Sequence, residues 1–283
     1  MKVFSLMVLT VFIVIFNANG AFATNSSAQS DDSAIQESLS DIGMEFSNEI
    51  RKVASEHKGI IQANKQLKEA GASYQKSLIA DPAEISRYTD FKHQSIMAGV
   101  LTFDAGYAAL FLQKKDLAAL LKARKTLSEK IGFSTPLSPK MKQLIMNPEM
   151  VQDYDTWATA LNEVSAIFLA NGLNTDKRIA VMMDYLYGAI VEGLYVVTES
   201  IAQADYTPKM LALMNNQYDR IQLLVRMLNV FRGNDTFEKA VDFDARFNLI
   251  GDIHNLMTVK TLTRRDIDDI RQLIVPERQS ILN

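Results

Sequence analysis

Two acids stand where acids are rare. Glu192 lies inside Gly188-Ala-Ile-Val-Glu-Gly-Leu-Tyr-Val-Val-Thr-Glu-Ser200, and Asp104 lies inside an equally apolar run, "HQSIMAGVLTFDAGYAALFL", that begins at His93. A carboxylate in such a setting must reach water, meet a cation or keep a proton, because burying it alone and charged is costly. At about 3.6 residues per turn, Asp184, Gly188, Glu192, Tyr195 and Glu199 fall on one edge of a helix. His93, Met97, Asp104 and Tyr107 fall along one edge of another. Two chemistries are open. The acids could be polar ties to Lys92, Arg178, Arg220, Arg226 or Arg246 on neighbouring helices. Alternatively, Asp104, Tyr107, Glu192 and Tyr195, with His93, could line a pocket between two long helices that holds a small ligand or a cation.

No catalytic residue set is predicted. The three histidines, His57, His93 and His254, sit in different segments, and no Glu-x-x-His pair of the di-iron bundle type occurs. The Asp90-x-x-His93 and Asp252-x-His254 pairs alone do not make a metal site. "DFDARFN" from Asp242 to Asn248 spaces acids like the start of a calcium loop, yet it lacks the turn glycine and reads as solvated helix. No nucleophile elbow, phosphate loop, dinucleotide fingerprint or His-Glu-x-x-His is present, so neither a metal nor a cofactor is expected. Trp157, the single tryptophan, reads as a packing residue, and most of the thirteen methionines read as core filling.

The elements that must position these residues read as helices. Asp81-Pro82 places a capping side chain before a first-turn proline, and apolar periodicity then runs to about Leu112. Asp116 opens a helix that Gly132 closes, and Pro136 and Pro139 break the pattern. Asn147-Pro148 starts a helix that ends at Asn171-Gly172, and Asn174 or Thr175 opens the one carrying Glu192. Thr207-Pro208 starts another, a helix is predicted from Thr236 to about Val259, and Thr263 with Asp266 caps the last. Small residues Ala189 and Gly193, and the Gly99/Gly106 pair, predict close helix approach. No stretch shows strand-like alternation and no fixed repeat period appears, so the fold expected is all-α, a single-domain antiparallel bundle of about seven to nine helices.

Bulk properties place the chain outside the cytoplasm. Lys2, the apolar run Leu6–Phe16 and Ala21-Phe22-Ala23 read as a signal peptide over residues 1–23. Residues 24–34 read as a flexible leader and 35–283 as the helical domain. Loss of Lys2 takes the formal charge from −3 to −4, which gives no reason to expect nucleic acid as a partner. With no cysteine, the chain carries neither disulfide nor lipid-accepting thiol, and a domain this size can be held by burial alone. The expected location is periplasmic or extracellular, without stable membrane insertion once the signal is cut, and the expected partner is an envelope protein or a small ligand.

The stretches "GVLTFDAGYAALF" and "GAIVEGLYVVTESIA", followed by "TRRDIDDIRQLIVPERQSIL", resemble an uncharacterised family of exported helical proteins, many of them lipoproteins, of Bacteroidota-type bacteria. The matching positions are Gly99, Val100, Asp104 and Tyr107, then Glu192, Gly193, Leu194 and Tyr195. The resemblance implies an exported all-α domain and no known reaction. The Gly-x-His-x-x-Glu signature of imelysin-like proteins has no counterpart here beyond Gly251-Asp-Ile-His254.

Overall fold

Asp90 shows how this sequence starts its helices. Its backbone is extended, its carboxylate accepts from the His93 amide at 2.9 Å, and α1 runs from Phe91 to Leu110 behind it. The computed structural model describes residues 66–132, 139–147, 150, 153–157, 176–233, 235–240, 242–258 and 262–283, all within one compact unit. The predicted signal peptide and leader, His57, the Pro136 break and most of the helix expected from Asn147 to Gly172 lie outside the described residues, as does the Arg178 side chain.

Helix α2 spans Lys114–Lys130, α3 Pro139–Met146 and α4 Asp176–Gln203. Then come α5 Pro208–Leu211, α6 Leu213–Phe231, α7 Asp235–Ala240, α8 Phe243–Met257 and α9 Arg264–Leu282. No strand occurs among the described residues, so the chain is an all-α, multi-helix bundle. Thr263 and Asp266 form the expected capping box, and Gly132 and Gly233 end their helices with positive φ.

Several boundaries differ from the sequence pattern: α2 begins at Lys114 and not at Asp116, and the helix expected from Pro208 is divided at Ala212 into α5 and α6. The run from Pro82 to Leu112 is not one helix: Pro82–Arg87 is a 3₁₀ segment, and the chain extends through Tyr88 to Asp90 before α1. The physical reason is competition for backbone groups. The Asp90 side chain takes an amide of α1, while the Gln94 side-chain amide donates to the carbonyls of Tyr88 and Thr89. The helix expected from Thr236 to Val259 is also split, because Asp242 adopts φ 48°, a left-handed conformation that aspartate tolerates better than most residues.

Helix α4 is the centre of the bundle and packs on α1, α6 and α9. By length and apolar composition Ala180–Gln203 could cross a membrane, but 78% of its apolar 18-residue stretch is buried inside the protein, as expected of a core helix. Val191, Leu194 and Ile201 of α4 meet a core that includes Leu101 of α1, Leu224 of α6, Ile253 of α8 and Ile270 of α9, all fully buried. The α1–α4 crossing is held at backbone distance by two glycines. A Cβ on Gly99 would lie 1.9 Å from the Tyr185 carbonyl oxygen, and one on Gly188 would lie 2.1 Å from that of Ile96. Gly193, expected to admit a helix backbone, instead makes room for the Phe103 ring. These contacts advance together along both helices, so α1 and α4 run parallel. Helices α4 and α9 run antiparallel.

Candidate functional site

The N-terminal strap, Ala72–Asp81, crosses the bundle without regular structure except for one 3₁₀ turn at Lys76–Leu78. Its buried backbone groups need partners that a helix would have supplied internally. Side chains of two helices provide them. Tyr107 of α1 accepts from the Gln75 amide at 3.1 Å and donates to the Ser73 carbonyl at 3.2 Å. Asp104 accepts from the Ala80 amide at 2.9 Å. Arg278 of α9 donates Nη2 to the Leu78 carbonyl at 2.9 Å. At the outer edge Tyr74 donates to Asp116 of α2 at 2.9 Å, and its ring stacks on that of Tyr107.

The same residues form a closed charge cluster. Glu192 is 0% exposed and takes a two-pronged contact from Arg278, Nε to Oε2 at 2.8 Å and Nη2 to Oε1 at 2.9 Å. The Arg278 guanidinium lies 4.0 Å from the centre of the Tyr195 ring, so a cation–π contact covers its other face. Asp104 is likewise 0% exposed, its Oδ1 meets no donor, and its carboxyl lies within hydrogen-bonding reach of Glu192. Two ionised carboxylates cannot occupy this position together. The arrangement is satisfied when Asp104 is protonated and donates Oδ1–H to Glu192. Burial pushes the Asp104 carboxyl far above its ordinary value and the Glu192 charge pushes it the same way, against a smaller pull from the Ala80 amide. Burial also raises Glu192, while Arg278 and the hydrogen bond from Asp104 hold it down. One proton and one guanidinium thus serve two carboxylates.

Asp104, Tyr107, Glu192 and Tyr195 therefore come together around Arg278 and the strap. His93 does not join them. It stands at the start of α1, half-exposed, with its ring nitrogen 2.7 Å from Asp90, beside a separate small cleft. Among the described residues no group of three or more His, Asp or Glu side chains is arranged to hold a metal ion. The Asp104–Glu192 pair has its charge answered by Arg278 within the fold.

Arg278 was not among the cations expected to pair with these acids. Sequence spacing nevertheless carries the signal: Arg271 and Arg278 are seven residues apart on α9, as are Glu192 and Glu199 on α4. Antiparallel helices keep two such pairs in register, and Arg271 duly reaches Glu199 at 2.8 Å. Of the expected partners, Arg246 takes Asp184, the third acid of the stripe, at 2.6 Å, with both side chains buried. Burial pushes the Asp184 carboxyl up to about 6 although Arg246 pulls it down. Lys92 reaches Asp242, and Arg220 donates to Gln217 at 3.2 Å. Trp157 is buried, as are Met182, Met183, Met210 and Met214, whereas Met146 and Met150 are exposed. No family model, curated protein or solved structure matches the chain.

Proposed function

We propose that this chain is an exported, non-enzymatic helical-bundle protein that binds a protein partner or a small ligand in the envelope of a bacterial cell. The observation that carries the reading is the state of the central acids. Asp104 and Glu192 are sealed from solvent, Glu192 is paired with Arg278 and Asp104 holds the Ala80 amide, so they act as a tie for the strap and not as an acid–base pair open to substrate. The signal-like Leu6–Phe16 run and the Ala21-Phe22-Ala23 cleavage pattern support export, as does the resemblance to exported helical proteins. The experiment is fractionation of the native host, followed by intact-mass and native mass spectrometry of the chain. The expected result is a product in the periplasm or medium, shortened at its N-terminus, that carries a partner or small molecule. A full-length cytoplasmic chain would refute export.

The second reading is an envelope metal-binding protein or enzyme with its carboxylate site at Asp104 and Glu192. One observation favours it: paired carboxyls sharing a proton are also the working parts of acid catalysts. Elemental analysis separates the two. A stoichiometric metal lost in Glu192→Gln would establish the second reading, and a metal-free chain that still carries its partner establishes the first.

A further inference from the structure

Within the strap only Leu78 and Ala80 are buried, and its regular structure is a single 3₁₀ turn. Its hold on the bundle therefore rests on the side chains that meet its backbone. Asp104 takes the Ala80 amide, Arg278 gives to the Leu78 carbonyl, and Tyr107 bonds Gln75 and Ser73. On the outer side Lys76 pairs with Asp116, but Lys76 is largely exposed and such a pair is weak. A segment anchored in this way opens at lower cost than the helices beneath it. Those helices keep their own ties. Helices α1 and α4 meet at backbone distance through Gly99 and Gly188, and Arg278 joins α9 to α4 through Glu192.

Asp104 is the group that opening changes. Its Oδ2 holds the strap, its Oδ1 meets no donor, and its carboxyl is within hydrogen-bonding reach of Glu192. Two acids and one guanidinium in a sealed space leave one acid to keep its proton. Once the strap is lifted, water reaches Asp104, and an aspartate in water ionises at about pH 4.

The charged groups that face Asp104 leave this proton as the one that opening releases. Glu192 of α4 has its charge answered by Arg278 of α9, a contact between two helices that does not involve the strap. Burial pushes the hydroxyls of Tyr107 on α1 and Tyr74 on the strap above their usual range. Burial raises Asp116 of α2, yet hydrogen bonds from Lys76 and Tyr74 hold it below its usual value.

We propose that the strap is a pH-operated latch, which closes over a protonated Asp104 and lifts as that proton is released. Opening gives up one proton and closing takes it back. The closed strap is thus fully favoured below about pH 4, and each pH unit above that favours opening about tenfold more, until the raised folded-state value of Asp104 is passed. The inference needs neither export nor a partner, and it concerns one segment and not the whole fold.

The test is residue-resolved hydrogen exchange of the full chain between pH 5 and pH 8, corrected for intrinsic base catalysis. The amides of Gln75, Leu78, Ile79 and Ala80 are all hydrogen-bonded in the closed strap. They should exchange faster than the buried core of α4 at every pH. Their protection should fall about tenfold per pH unit, and up to about a hundredfold from pH 5 to pH 7. Asp104→Asn has no proton to release, so its strap protection should stay level with pH. Carbon-13 detection of the Asp104 carboxyl, which needs no variant, should show it neutral at pH 6. An ionised carboxyl there would overturn the inference. So would strap amides that exchange only together with the core of α4, strap protection that does not change with pH in the natural chain, or an equal slope in Asp104→Asn.

Discussion

If Asp104 carries a proton inside the fold, Asp104→Asn should be close to a perfect mimic. The amide oxygen can accept from Ala80 and the amide nitrogen can donate to Glu192, so both contacts of the protonated acid survive. What changes is the pH dependence. The folded-state pKa of Asp104 is raised above the unfolded value, so the stability it contributes is fully present below the unfolded value near 3.9 and is lost as pH rises towards the folded one. Across that window the native chain holds one proton that the unfolded chain has released. The slope is a loss of about 1.4 kcal/mol per pH unit, or up to about 2.7 kcal/mol between pH 5 and pH 7. The asparagine variant has no such slope. Urea unfolding at pH 5, 6 and 7, followed through the fluorescence of buried Trp157, measures both proteins. The variant should match or exceed the natural chain at pH 7, and its advantage should shrink by up to about 2.7 kcal/mol on going to pH 5. A variant several kcal/mol weaker at pH 7, with a gap that does not move with pH, would mean that Asp104 is ionised in the fold and that the shared-proton account is wrong.

Other outcomes follow from the same geometry. Asp104→Ala removes the acceptor of the Ala80 amide, so hydrogen exchange in residues 72–81 should accelerate by about tenfold or more while α4 stays protected, and unchanged strap protection would deny the tie its role. Gly99→Ala should cost more than about 3 kcal/mol, since its Cβ would meet the Tyr185 carbonyl at 1.9 Å. Gly251→Ala, in a helix with open space around the new Cβ, should instead gain about 0.5–1 kcal/mol, and both are read by thermal or urea unfolding. Carbon-13 detection of the Asp184 carboxyl should show a midpoint at about 6; the group is therefore charged and paired with Arg246 at neutral pH and loses that charge below the midpoint. A midpoint near the ordinary value of aspartate would show that Arg246 outweighs burial there.

The sequence by itself determined the class of fold and the location of the unusual acids. Apolar residues at three- and four-residue intervals, with Thr207 and Thr263 as caps, mark helices through local physics alone, since the period and the cap act within one or two turns. The stripe through Asp184, Glu192 and Glu199 was legible for the same reason. The stops at Tyr88–Asp90 and at Asp242 were not, because there side chains competing for backbone groups override a continuous apolar pattern.

Only the tertiary structure decided what the acids meet. Asp104 and Glu192 are brought together by the parallel crossing of α1 on α4, which depends on Gly99 and Gly188 admitting one backbone to the other. Arg278 arrives from 86 residues beyond Glu192, and the strap carbonyl it also holds lies 200 residues before it. A carboxylate's charge state is set by the burial and neighbours it acquires on folding, and composition and spacing along a single helix contain neither.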